Sequence, residues 1–141
     1  MINGSGLCSS FKLELLEGIH HFDTDLFYLA LYSAGAPLSL DTTTGYITDG
    51  EIAGPGYVAG GQLLLNPQIL GPVARTVYAT FDDPIWLDST LQARGALIYN
   101  QSQGNRAVAV LDFLQEQFSN SGIFRVQFPP PGPSTALIRL L

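Results

Sequence analysis

Both histidines of the chain fall in one run, His20-His21-Phe22-Asp23-Thr24-Asp25, the cluster whose donors suit a metal ion. Side chains alternate across an extended strand, so His21, Asp23 and Asp25 would converge on one face there. An imidazole with two carboxylates is a set that zinc or another transition metal accepts. The run also follows a helix stop, where His and Asp serve as caps and turn formers, and the turn reading is preferred. Asp82-Asp83 offers half of a carboxylate pair, and glycosidases need two such groups at a set separation. Neighbours on a strand point to opposite faces, however, and Asp-Asp-Pro is ordinary turn chemistry.

The single cysteine, Cys8, has no local base and sits in what reads as a mobile arm. No Gly-x-Ser-x-Gly elbow is present, and the one lysine, Lys12, follows no phosphate-binding glycine loop. Gly54, Gly56, Gly60 and Gly61 precede no helix and make no nucleotide cradle. No catalytic, metal or cofactor-binding residue is assigned. The expectation is a protein that is not an enzyme and carries no cofactor.

Composition narrows the classes further. At 141 residues the chain is one domain of ordinary size, able to bury about 68% of the surface its unfolded form would expose. One cysteine closes no internal disulfide, so the fold stands on packing alone. Charged residues make up 13% of the chain, against about 25% in typical domains, while 46% is apolar. So little charge coats a large free surface poorly and favours a life packed against copies of itself or a partner. The net charge is −6 and the five arginines, at positions 75, 94, 106, 125 and 139, are scattered, so the clustered positive charge that direct DNA or RNA binding needs is missing. No run of about 18 apolar residues is available to cross a bilayer. The opening MINGSGLCSSFKLELLEG lacks the basic start, apolar block and cleavage site of a secretory signal, and production in a cytoplasm, with retention there until assembly, is expected.

The elements that position these residues are strands. Residues 91–113, LQARGALIYNQSQGNRAVAVLDF, organise the rest: runs 95–100 and 106–113 flank a polar turn at 101–105, the signature of a hairpin. In the second run Val108, Val110 and Asp112 face one way and Ala107, Ala109, Leu111 and Phe113 the other. Both faces are largely apolar, which places the hairpin centrally, between two layers.

About residues 1–9 read as a flexible arm. Ser9 or Ser10 then caps a short helix to about Glu17, with Phe11, Leu15 and Ile19 on one face and Gly18 as its stop; Phe11, Leu13 and Leu15 also fit a period-2 strand. Residues 25–33 form a strand and 34–48 a long surface excursion. Gly54-Pro55-Gly56 is a turn, and Gly60-Gly61 permits a bulge or a close backbone approach before a strand at 62–65. Residues 67–72 read as a loop. Residues 75–81 read as a strand with Val77 and Ala79 on one face and Thr76, Tyr78 and Thr80 on a half-polar outer face. A short strand at 85–87 carries Trp86, 114–121 is a polar connection, and 122–128 is a strand with Ile123, Arg125 and Gln127 opposite Phe124, Val126 and Phe128. Residues 129–133, PPPGP, form an extended connector, since proline cannot donate to a ladder, and 136–141 a last strand or docking tail. The sum is one all-β domain over 1–141, a β-sandwich or jelly roll of about eight to nine short antiparallel strands with one short N-terminal helix; crossover helices for a parallel α/β fold are missing.

The segments EIAGPGYVAGG, GALIYN and NRAVAVLDF, within a stretch from Phe11 to Phe128, resemble small virion proteins of tailed bacteriophages. The resemblance implies a structural protein of the particle without catalytic residues. Its most direct form is a capsid cement or decoration protein on the outer shell, self-associating as a dimer or trimer and bound to the major capsid protein. A head–tail adaptor or tail ring is the alternative within that class, and a receptor- or glycan-binding module with exposed aromatics around Trp86 is the alternative outside it.

Overall fold

Two long strands, β7 (Gln92–Asn100) and β8 (Arg106–Phe118), form the hairpin at the centre of the computed structural model, which describes residues 2 and 4–140. A 3₁₀ turn, Gln101–Gln103, joins them, and Gly104 (φ 69°) and Asn105 (φ 62°) close it in the left-handed region. The hairpin is paired on both sides. With β1 (Gly6–Leu7), β2 (Phe27–Tyr32) and β3 (Gln62–Leu63) it makes an antiparallel sheet in the order β1-β8-β7-β2-β3. A second sheet has the order β10-β5-β4, from β4 (Gln68–Val73), β5 (Thr76–Thr80) and β10 (Ile138–Leu140). A ribbon of β6 (Ile85–Ser89) and β9 (Gly122–Arg125) completes the strands, and α1 (Ser9–Leu16) is the one α-helix among the described residues. The fold is all-β with antiparallel sheets and a short helix.

The central placement of the hairpin has the basis that its two apolar faces suggest. Residues 95–100 and 107–110 are all buried. Leu29, Leu31 and Tyr32 of β2 pack with Leu97, Ile98, Val108 and Val110 into the core. At one end Phe22 stacks on Phe27 at 4.6 Å between centroids, Phe27 meets Phe81 at 5.6 Å, and Phe11 closes on Phe22 edge-on, which ties α1 and β2 to the end of β5. At the other end Trp86 lies between Phe124 and Tyr57. Such aromatic contacts add to plain area burial by about 0.5–1.5 kcal/mol each.

The structure departs from the sequence reading where backbone pairing overrides local composition. The arm expected over about 1–9 is docked: Gly6 and Leu7 pair with Val110 and Ala109, and Ile2 and Cys8 are buried. This pairing satisfies the outer edge of β8, whose N–H and C=O groups would otherwise be exposed. Cys8, not Ser9 or Ser10, takes the N-cap position of α1, without a side-chain bond, and Gly18 follows the helix at φ 72°. The excursion over 34–48 lies partly inside, with Ala36, Leu38 and Thr43 buried.

Residues 68–72 of the loop expected over 67–72 belong to β4. Pro72 is tolerated because β4 is an edge strand and its register shifts between Leu70 and Val73, where no ladder donor is needed. In β5, Val77 and Ala79 do share the face toward α1, but Val77 stays partly exposed because α1 is short, while Thr76 and Thr80 are buried instead of outward. The connection expected over 114–121 is largely strand: β8 continues to Phe118 past an exposed bulge at Leu114 (φ 69°) and re-pairs Gln117 and Phe118 with Ala93 and Gln92. The strand expected over 122–128 ends as β9 at Arg125, yet its alternation continues to residue 128, with Phe124, Val126 and Phe128 buried and Ile123, Arg125 and Gln127 exposed.

Candidate functional site

The run 20–25 folds as a turn. The amides of Thr24 and Asp25 donate to the carbonyl of His21 at 3.1 and 2.8 Å, so the alternation needed to bring His21, Asp23 and Asp25 to one ion is lost. His21 and Asp23 are exposed. Asp25 turns back into the protein, where its carboxylate accepts hydrogen bonds from the His21 amide (2.9 Å), Asn100 Nδ2 (2.8 Å) and Gln103 Nε2 (3.3 Å). Burial pushes the Asp25 carboxyl up, but the bonds from Asn100, the His21 amide and Gln103 outweigh it and hold it below the usual carboxylate range. Among the described residues no three His, Cys, Asp or Glu side chains gather around one point.

His20 points inward instead. Its Nε2 donates to Glu14 Oε1 at 2.8 Å, and its Nδ1 accepts from Asn100 Nδ2 at 3.0 Å, a tautomer assigned from the amide that Asn100 also aims at Asp25. Arg106 Nη1 donates to the other Glu14 oxygen at 2.9 Å. The chain Asp25, Asn100, His20, Glu14, Arg106 thus ties the turn, β7, α1 and β8 together. Both ring nitrogens of His20 are engaged and its side chain is fully buried, so neither is presented to a bound molecule. The thiol of Cys8 is no nucleophile either: burial first, and then the Glu14 charge, push it from 9.0 up to about 11.

A second internal cluster centres on Glu51. Its Oε1 accepts from Tyr46 Oη and its Oε2 from Tyr57 Oη, both at 2.5 Å, and Oε2 also takes the Gly60 amide at 2.7 Å. Tyr57 Oη accepts in turn from the Leu31 amide at 3.0 Å, and Tyr99 Oη donates to the Gly60 carbonyl at 2.7 Å. Tyr32 Oη donates to the Ile47 carbonyl at 2.6 Å. One carboxylate therefore clasps the glycine-rich segment onto β2 and β7. Burial, reinforced by bonding to Glu51 for Tyr46 and Tyr57, raises the phenols of Tyr32, Tyr46 and Tyr57 well above their ordinary 10.0; burial and the Glu51 charge raise Tyr99 to about 12.

These shifts set an alkaline limit. A group whose folded-state pKa is raised keeps its proton on folding, so its stabilisation is complete below the unfolded value and fades as pH climbs toward the folded one. Stability should begin to fall above about pH 9, from Cys8, and steepen above 10 as the four tyrosines join, the buried Cys8, Tyr32 and Tyr99 each adding up to about 1.4 kcal/mol per pH unit and the half-buried Tyr46 and Tyr57 less, since solvent screens them. Urea midpoints across that range check this, and a midpoint flat through pH 11 would contradict the clasp.

Asp82-Asp83 is likewise structural. Asp83 Oδ2 accepts from Arg125 Nη2 at 2.7 Å and Oδ1 from the Phe128 amide at 2.8 Å, holding the proline connector against the end of β9. A shallow depression of about 460 Å³, lined by Thr80, Asp83, Arg125, Phe128 and Pro130, opens beside that pair. Gly54, Gly56 and Gly61 pack against neighbouring backbone and ring no opening. Comparison with protein-family models, with curated proteins and with solved structures finds no match.

What the surface does offer is apolar. Trp86 and Phe124 face inward on the β6–β9 ribbon, and the outward positions of the same two strands carry Leu87, 64% exposed, Ile123, 63% exposed, and Ile85. Ile69, Val73 and Leu140 extend the same character along the second sheet. No helix among the described residues is long and apolar enough to cross a membrane. Sequence reasoning missed Glu51 and Glu14. For Glu14 a signal existed, a carboxylate three residues after Phe11 on the apolar side of α1; for Glu51 the partners, Tyr46, Tyr57 and Gly60, lie in an irregular segment with no period to align them.

Proposed function

We propose that this chain is a structural protein of a tailed-bacteriophage particle, a cement or decoration protein that binds the outer capsid shell in many copies and has no catalytic role of its own. The observation that carries the reading is the outward apolar face of the β6–β9 ribbon, in a chain only 13% charged. The resemblance of EIAGPGYVAGG and NRAVAVLDF to virion proteins supplies the particular assembly. The two internal acid clusters support it by their use: each carboxylate is spent on holding loops in place. Trp86, 3% exposed, is not free to stack on a sugar, so the glycan reading loses the residue it rested on.

Under this proposal, function is burial and mass action. Each copy covers apolar surface on neighbouring shell subunits and stabilises the shell according to its affinity and free concentration. Many weak contacts over a lattice add up to resistance against internal pressure. Quantitative mass spectrometry of the particle against its major capsid protein is the test. Copies on the order of hundreds per particle are expected; six or twelve would replace the shell assignment by a ring at the tail vertex, and none would overturn the reading.

A further inference from the structure

The outward side of α1 holds four residues that are complementary to themselves. At about 100° per residue, Leu13 and Leu16 lie about 60° apart on the solvent side, and Lys12 and Glu17 flank them on opposite sides and at opposite ends. Leu13 is 60% and Leu16 91% exposed, the latter the most exposed large apolar side chain among the described residues. Phe11, Glu14 and Leu15 fill the opposite side, so this diamond faces away from the core.

Lys12, the chain's only lysine, and Glu17 make no ion pair among the described residues. Five positions apart, they do not face each other on one helix. Glu17, at the C-cap of α1, also opposes the macrodipole, which disfavours an anion at a helix C-terminus. Within one copy the arrangement is unfavourable and unanswered.

We propose that α1 docks on α1 of a second copy about a two-fold axis laid along the line from Leu13 to Leu16. That axis brings each leucine onto its own counterpart and each Lys12 onto the partner's Glu17, twice over, with the helices crossing steeply. The unpaired charges then find opposite partners, and the two leucines leave water. Beside the diamond, an apolar cleft between α1 and the second sheet, lined by Leu15, Ile69, Val77 and Leu140, continues the surface. The inference deepens the proposed function and rests on that reading only in taking a second copy as occupant. Two short helices bury less than a standard interface, so an affinity on the order of 100 μM is expected, enough where copies are held side by side.

Analytical ultracentrifugation of the purified chain tests the pairing without any particle. A concentration-dependent dimer is expected, and a monomer up to about 1 mM would overturn the proposal. Leu16→Lys, on an exposed side chain at the last position of α1 where a cation suits the macrodipole, should abolish the dimer without lowering the thermal midpoint, since two lysines would meet on the axis; a dimer that survives it would put the contact elsewhere. Lys12→Glu and Glu17→Lys should each weaken self-association about tenfold, because each turns two attractions into two repulsions. Mixed together, the two variants should associate at least as well as the natural chain. Failure of the mixture to recover would overturn the charge pairing. Copy number on the particle is independent of these outcomes, so a missing dimer and a misassigned particle are told apart.

Discussion

Replacing Gly61 by alanine is expected to remove a large share of the folding stability, more than any other substitution argued for this chain. A Cβ at this position would stand 1.8 Å from the carbonyl oxygen of Leu29 and 2.6 Å from its carbon. These are backbone atoms of β2, paired on their other side to β7, and they cannot swing aside as a side chain would. Gly61 is also at φ +83°, where an alanine costs about 1–2 kcal/mol before any clash. Relief requires β3 to leave β2 and drags Gly60, whose amide reaches Glu51 and whose carbonyl holds Tyr99, out of place. The expected cost is about 4 kcal/mol or more, against a typical total of about 5–15. Gly104→Ala separates the two causes: its φ of +69° is similar, but nothing lies within 4 Å of a Cβ there, so about 1 kcal/mol is expected. Urea midpoints of the two variants give the comparison. A Gly61→Ala midpoint close to that of Gly104→Ala would mean that β3 is not pressed against β2.

The close approach at Gly60-Gly61 is among the features legible in the sequence, because paired glycines before an apolar run have few other uses. The central hairpin is legible for a different reason: apolar residues on both faces of 95–100 and 106–113 leave no wet side. The alternation of residues 122–128 survives intact for the same kind of reason, since period 2 is a local property. What is not legible depends on partners distant in sequence. Gly6 and Leu7 look like a mobile arm until Val110 and Ala109 offer them an edge, and residues 67–72 look like a loop until β5 pairs with them. Thr76 and Thr80 are polar by type yet buried by position. The His20–Glu14 pair is hidden because the run around His20 favours a turn while α1 supplies its partner. The outward diamond on α1 was visible only as leucines off the expected helix face, and the helix boundaries are what give them a common direction.

Glu51→Ala is expected to loosen the whole segment that spans residues 46–61. The carboxylate takes two phenol donors and one amide, and nothing else within the cluster replaces it as acceptor. Tyr57 is the critical partner: its oxygen already accepts from the Leu31 amide, so without Glu51 its own hydrogen is left unpaired in a half-buried site. Bonds to a charged acceptor contribute about 1.5–3 kcal/mol each, though Tyr46 and Glu51 are only partly buried and solvent offsets some of that. A net loss of about 3 kcal/mol follows. Glu51→Gln keeps the shape and can be satisfied, its carbonyl taking Tyr57 and the Gly60 amide while its amide group donates to Tyr46 Oη, but it exchanges a charged acceptor for a neutral one; about 1 kcal/mol is expected from this near-isosteric change. Tyr57→Phe should cost about 2–3 kcal/mol, since it removes the bond to Glu51 and strands the Leu31 amide. Combined with Glu51→Ala it should add only the share due to the Leu31 amide, about 1 kcal/mol, because the bond shared with Glu51 is already gone. A double-mutant cycle on urea midpoints measures that coupling. Full additivity would mean that the two side chains act independently, and the clasp between the glycine-rich segment and β2 would then have to be sought in the packing of Trp86 and Tyr57 instead.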